Sequence, residues 1–248
     1  MTRLALSLSF LFLTSNVFAA SPYVGIGGGF VRSNTTVLRD RDCSATQPPA
    51  LFGCGTGNDR RPLSARGDFG DTPLLRVAGG FASERARVEL ELASRPSLDF
   101  DANANFTGVA SPQPVRASGS SRSALIIGAI DFGGAGVKPF VAFGAGVARN
   151  QLSEVRFTFP SIAPNATTTI RGGSQTSFAW TASTGKSFAL TQSLDLELAL
   201  RYEDLGHIET DDGSATIIRP TRTLTLDIAG TRARLRTGGV ALAVRWRL

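Results

Sequence analysis

Apolar and polar residues alternate with a period of two along much of this chain, the pattern of a β-strand with two unlike faces. In SLDLELALRYEDLG, Leu194, Leu196, Leu198, Leu200 and Tyr202 share one face, and Asp195, Glu197, Arg201 and Glu203 the other. RARVELELASR sets Val88, Leu90 and Leu92 against Arg87, Glu89 and Glu91. GGVALAVRWRL sets Val240, Leu242, Val244, Trp246 and Leu248 against Ala241, Ala243, Arg245 and Arg247. PLLRVAGGFA, KPFVAFGAGVAR and SFAWTASTGK carry weaker copies, Arg76 lying on the small-residue face of the first. SALIIGAIDF is apolar on both faces, so its phase stays open. With YVGIGGGF near the start, eight strands are predicted.

In that opening stretch Gly25, Gly27 and Gly29 recur at every second position, and no helical period follows. A dinucleotide-binding loop needs G-x-G-x-x-G between a strand and a helix, so a nucleotide site is not expected. Glycines on one face of a strand suit the concave side of a narrow, closed sheet.

The gaps between strands alternate in length. Segments 35–72, 98–121, 153–173 and 207–232 are long; 83–86, 132–137 and 190–193 are short. Short turns at one end and long loops at the other are the habit of an outer-membrane barrel. A soluble barrel or sandwich alternates equally well, but here the charged or small face reads as the lumen and the aliphatic face as the lipid side. The first twenty residues fit a barrel of the outer membrane. MTRLALSLSFLFLTSNVFAA has one cation, an apolar run and small residues at its end, the layout of a secretory signal peptide. Cleavage is expected after Ala19, leaving a single barrel domain over 20–248.

Composition adds less. The 248 residues carry a net charge of +6, nearly all of the cations being arginine. In an exported protein this balance points to anionic lipid or polysaccharide rather than nucleic acid. Cys43 and Cys54 flank a Pro- and Gly-rich segment and are expected to form a disulfide in an oxidising compartment.

The leader, YVGIGGGF, ALRYEDLG and the ending VALAVRWRL together resemble the small outer-membrane β-barrel proteins of Gram-negative bacteria. That superfamily includes the OmpA-like transmembrane domain and the opacity-type surface antigens. The resemblance implies an all-β, antiparallel transmembrane barrel of eight strands, with long extracellular loops and short periplasmic turns. It also implies that the outer-membrane assembly machinery reads Val240, Leu242, Val244, Trp246 and Leu248, the last standing where phenylalanine is usual. No peptidoglycan-binding domain is expected after the barrel, so the tethering role of full-length OmpA-like proteins is not carried over.

Candidate chemistry is sparse. An inward network of Arg76, Arg87, Arg201 and Arg245 with Glu89, Glu91, Asp195, Glu197 and Glu203 is expected to fill the lumen as a polar core. Its alternative role is a narrow ion path. Arg234 and Arg236 fall on the outward phase above the apolar band and are placed against lipopolysaccharide phosphates, as Arg60, Arg61 and Arg66 of the first loop could be. His207 is the only histidine. The deacylase type of lipid A enzyme resembles His-x-Ser, and Glu209 occupies the serine position. The acidic cluster Glu209, Asp211 and Asp212 with Gly213 reads as a hairpin tip, DDG supplying the turn chemistry, rather than as a calcium loop. EVRFTF is expected to pair with ATTTIR, and TLTLDIAG with TRARLR, as projecting hairpins.

The expected function is a non-enzymatic outer-membrane surface protein, structural or adhesive, without cofactor or metal. Its expected partners are outer-membrane lipid and lipopolysaccharide, the assembly machinery, and an extracellular ligand or host surface. A small-solute channel and a lipid A-modifying enzyme are the alternatives.

Overall fold

Strands that are aliphatic on one face and small or charged on the other can hide the charged face by closing into a ring. The computed structural model describes residues 20–248 apart from 109–111 and 134–135; the leader expected over 1–19 lies outside the described residues. Among the described residues fourteen strands follow one another: β1 (Ser21–Ser33), β2 (Thr36–Asp40), β3 (Ala65–Asp68), β4 (Asp71–Ala82), β5 (Ala86–Ala104), β6 (Gln113–Asp131) and β7 (Val137–Leu152). Then come β8 (Val155–Thr158), β9 (Thr167–Ile170), β10 (Gly173–Ala189), β11 (Leu194–Glu209), β12 (Gly213–Arg219), β13 (Arg222–Ile228) and β14 (Thr231–Arg247).

Eight of them close a ring. The antiparallel pairings run β1–β4, β4–β5, β5–β6, β6–β7, β7–β10, β10–β11 and β11–β14. β14 then pairs back onto β1, from Tyr23 opposite Arg247 to Ser33 opposite Thr237. Closure leaves no free edge in the wall. The curvature needs small inward residues. A Cβ on Gly29 would lie 2.1 Å from the Val240 carbonyl oxygen, and one on Gly27 2.4 Å from that of Leu242.

The outer surface of this ring is apolar. Ile26, Phe30, Leu90, Ile126, Phe143, Leu200 and Leu242 all point outward and stand exposed, Phe30 at 73% and Leu200 at 62%. Water-soluble proteins rarely expose a contiguous apolar patch beyond a few hundred Å²; here the belt encircles the molecule. Aromatic residues gather at its upper margin, where Trp180 lies 5.6 Å from Tyr202 and 6.0 Å from Phe143 between ring centroids. SALIIGAIDF now has a phase, with Leu125, Ile127 and Ala129 inward and Ile126 and Ile130 outward.

The six remaining strands build a second tier above the ring. Where β1 and β4 stop, β2 and β3 continue the wall between β14 and β5. On the other side β8 pairs with β6, and β9, β12 and β13 extend the sheet beyond it. Much of what reads as loop is therefore strand; β5 and β6 pair as far as Ala104 opposite Gln113. The hairpin expected from EVRFTF and ATTTIR forms as β8–β9. The one expected between TLTLDIAG and TRARLR does not. Arg222–Ile228 instead pairs with Gly213–Arg219, and TRARLR is the upper end of β14. A β-strand pairs with whichever neighbour the fold brings alongside, and seven-residue segments of similar character carry no address. Asp211–Gly213 also differs from the expected hairpin tip: it joins β11 to β12, and the tip is Pro220–Thr221.

The core lies inside the upper tier. Leu38, Phe69, Leu98, Phe157, Ile170 and Leu235 are almost wholly buried there in one cluster, with Phe52 stacked on Phe106 at 5.2 Å. Two β-bulges separate the tiers, between Arg95 and Leu98 on β5 and between Asp204 and His207 on β11. The second needs glycine. Gly206 has φ +77°, and a Cβ there would come within 2.3 Å of the Ser177 Cβ.

Candidate functional site

The ring carries its charge on inward positions, so the lumen is where ionic groups converge. Glu91, fully buried, accepts a two-pronged contact from Arg201, with Nη1 to Oε2 at 2.9 Å and Nη2 to Oε1 at 2.5 Å. Arg201 Nε reaches Glu203 Oε1 at 2.7 Å. Glu203 also takes Arg95 and, at 3.1 Å, the Thr237 hydroxyl. Below, Arg76 spans Glu91 at 3.3 Å and Glu197 at 3.4 Å. Arg87 meets Glu197 at 2.9 Å and Asp131 at 3.5 Å. At the lower mouth Arg245 lies 3.7 Å from both Asp195 and Glu197 and donates to the Ser187 hydroxyl at 2.6 Å. Tyr23 closes one side by donating to Glu89 Oε2 at 2.5 Å.

Every residue of the network expected from sequence therefore faces the lumen, and the groups link from the lower mouth to the level of the bulges. Arg95, Asp131 and Tyr23 join the network beyond the residues expected for it: Tyr23 shares the inward phase of Gly25, Gly27 and Gly29, Arg95 continues that of β5, and Asp131 lies on the strand whose phase the sequence leaves open. An eight-stranded ring is only wide enough for side chains to fill it. Five arginines and five carboxylates cross-linked within it, with Glu89 held by Tyr23, make a polar plug of charge-assisted hydrogen bonds in fixed geometry. Its upper end is sealed by Asn150, also unforeseen. This buried amide donates to the carbonyls of Leu205 and His207 at 2.7 and 2.9 Å and accepts from Ser121 at 2.7 Å. It thereby satisfies main-chain groups that the β11 bulge has freed from the ladder.

Arg234 and Arg236 project outward from β14, and both engage Asp204, at 2.7 and 3.0 Å. Asp204 is the cross-strand partner of Arg236 on the adjacent strand. His207 occupies the same outer wall opposite Arg234. Its backbone N–H donates to Ser177 Oγ at 3.3 Å, so that hydroxyl serves the main chain. Burial first, and then the charge of Arg232, holds His207 below its ordinary pKa, with Arg234 adding to the effect and Glu209 and Asp204 opposing it.

No family model matches the chain, and no curated protein matches it. Solved structures do. The outer membrane protease OmpT of Escherichia coli superposes with a TM-score of 0.52 at 5% identity, over 94% of this chain and 98% of that one. The fold is that of a bacterial outer-membrane β-barrel. OprG of Pseudomonas aeruginosa (TM-score 0.47, 11% identity, 92% and 97% covered) and the neisserial surface protein NspA (0.42, 15%, 92% and 99%) also match. At these identities the likeness concerns fold alone.

In this outer-membrane barrel the last strand presents Val240, Leu242, Val244 and Trp246 to the lipid side, with Leu248 exposed just past its end. Cys43 and Cys54 form a disulfide with Cα atoms 4.8 Å apart, inside the first long connection. That connection is further ordered by Asp40, which accepts main-chain bonds from Leu51 (3.0 Å), Phe52 (3.0 Å) and Gly53 (2.8 Å). Burial nonetheless outweighs these bonds and pushes Asp40 above the usual carboxylate range. Asp212 accepts from Gly230 N–H at 2.6 Å and pairs with Arg41, which together hold its carboxyl low. Both acids thus support connections within the upper tier. Arg61 and Arg66 lie on the outer wall of that tier, and Arg60 sits in a turn with φ 62°.

Proposed function

We propose that this outer-membrane barrel is a non-conducting, non-enzymatic surface protein that works through its upper, extracellular tier. The observation that carries the reading is the pairing of a filled lumen with an ordered tier above it. A channel gains nothing from a cross-linked ionic plug capped by an apolar core. A recognition protein does gain from a rigid sheet raised above the lipid, because preorganised surfaces bind without an ordering cost. A hydrolytic role, such as that of the protease OmpT, finds no support at His207: among the described residues its imidazole has no hydroxyl or carboxylate hydrogen-bonded to it.

Conductance across a planar lipid bilayer tests the reading. Purified protein is expected to be electrically silent, and Arg201→Gly with Glu91→Gly is expected to open a small pore. Steady single-channel currents from the unaltered protein would overturn the proposal. Protease digestion of intact cells is the companion measurement, with cuts expected only in connections of the upper tier.

A further inference from the structure

A groove of about 530 Å³ runs along the outer wall of the upper tier, between the first long connection and the top of β14. Arg39, Arg61, Arg66, Arg232 and Arg234 line it, and Asp59 is the one carboxylate among its lining residues. Asp59 is already engaged, accepting from Asn105 at 2.7 Å and from the Arg61 N–H at 3.0 Å. Arg234 is answered by Asp204. Among the described residues Arg39, Arg61, Arg66 and Arg232 have no ion-pair partner.

The sheet itself creates this concentration of charge. Arg39 and Arg232 are direct cross-strand partners, Val37 stands opposite Arg66, and His207 opposite Arg234. Like charges directly opposite one another in a ladder are destabilising. The Nε of Arg232 is, in addition, enclosed without a hydrogen-bond partner. Glu209 is the register neighbour of Arg232, yet its own contact is with Arg41 at 3.9 Å. The groove thus holds guanidinium forks with donors to spare and a repulsion that an anion between them would remove.

We infer that this groove binds the phosphorylated saccharide headgroup of an outer-leaflet glycolipid. The inference rests on the surface-protein reading above and supplies its ligand class. Guanidinium forks match phosphate oxygens two at a time, and four unanswered arginines call for more than one phosphate. A cavity of this size suits a ligand of a few hundred daltons. Thr35, Ser64, Asn103 and Asn105 add hydroxyl and amide groups for sugar hydroxyls. Position assigns the source. The groove is on the side of the tier, and Arg234, which lines it, lies six residues from lipid-facing Val240, about 20 Å along a tilted strand at ~3.3 Å per residue, and two residues above Arg236, whose register neighbours Asp204 and Trp180 stand at the aromatic margin of the belt. That is the level of headgroups rather than of the free tip.

The test is binding to the full chain in detergent micelles, with three probes: lipopolysaccharide with a phosphorylated core, the same material dephosphorylated, and a soluble sulfated oligosaccharide. Phosphorylated lipopolysaccharide is expected to bind, and dephosphorylation to weaken binding by about tenfold or more. Arg39→Glu with Arg232→Glu should weaken it about as much. Arg116→Glu with Arg156→Glu, at another cross-strand arginine pair whose charges already face Asp101 and Glu154, should leave it unchanged. Protease resistance of the upper tier verifies that each variant is folded; Arg39→Gln with Arg232→Gln replaces any that is not. Equal binding of the dephosphorylated probe, or no loss in the folded groove variant, would overturn the site. Preference for the soluble oligosaccharide would overturn the glycolipid as its source. None of these outcomes depends on conductance, so a failed groove and a failed surface-protein reading are told apart.

Discussion

One strand, β5, passes through two environments and reverses its polarity between them. Below the bulge Arg87, Glu89 and Glu91 point inward, and Val88, Leu90 and Leu92 outward; above it Leu98, Phe100 and Ala102 point inward, and Asp99, Asp101 and Asn103 outward. Both halves obey the same rule, that each face matches the medium it meets. What differs is the medium: acyl chains outside the lower ring, water outside the upper tier. The ring therefore stores its charges inside, where they must answer one another, and the tier stores a conventional apolar core. The Arg95–Leu98 bulge shifts the phase by one residue where the two chemistries meet.

The comparison breaks most visibly in the ring. Arg201→Met leaves Glu91 and Glu203 short of a partner in the lumen and is expected to cost about 3–5 kcal/mol, the range for removing one member of a buried ion pair. Urea unfolding of the protein reconstituted in lipid vesicles measures it. Replacing Arg201 and Glu91 together with apolar residues should cost less than the single change, because no charge is then stranded at that contact. In the upper tier Phe100→Ala removes an aromatic ring packed 4.8 Å from Phe69 and should cost about 3 kcal/mol through the cavity left behind. Its signature is local: protease sensitivity in the upper tier with the ring still protected.

A smaller effect belongs to His207. Its folded pKa lies below the ordinary value, so the unfolded chain takes up the proton first. Stability of the upper tier should fall as pH drops through the ordinary histidine range, and His207→Gln should remove that dependence. Arg232→Gln should raise the His207 pKa, read directly from its imidazole proton resonance. A pKa unmoved by the change would deny the positive potential assigned to the groove.

The ring is largely legible in the sequence, because a period of two reports both the existence of a strand and its faces. Gly25, Gly27 and Gly29 by their spacing alone point to a tightly curved wall. The upper tier is less legible for three physical reasons. Its strands β2, β3, β8 and β9 are only four or five residues long, too short for a period to register. The bulge at Pro96–Ser97 ends one alternation and begins its mirror image, which reads as the end of a strand. The pairing of Arg39 with Arg232 joins residues nearly two hundred positions apart, a matter of register that no local pattern carries. Arg95 and Asn150 are a different case. Each continues the inward phase of a recognised strand, and extending those phases by a few residues finds them.

The reversal along β5 is tested most directly by nitroxide labels placed singly at Leu90, Leu92, Asp99 and Asp101 in lipid vesicles, with the Cys43–Cys54 disulfide kept oxidised. Collision rates with oxygen and with a water-soluble nickel chelate report whether each site meets lipid or water. Oxygen should dominate at Leu90 and Leu92, and the chelate at Asp99 and Asp101, with the crossover at the bulge. Strong chelate contact at all four positions would contradict the lipid-facing wall on which the barrel reading depends.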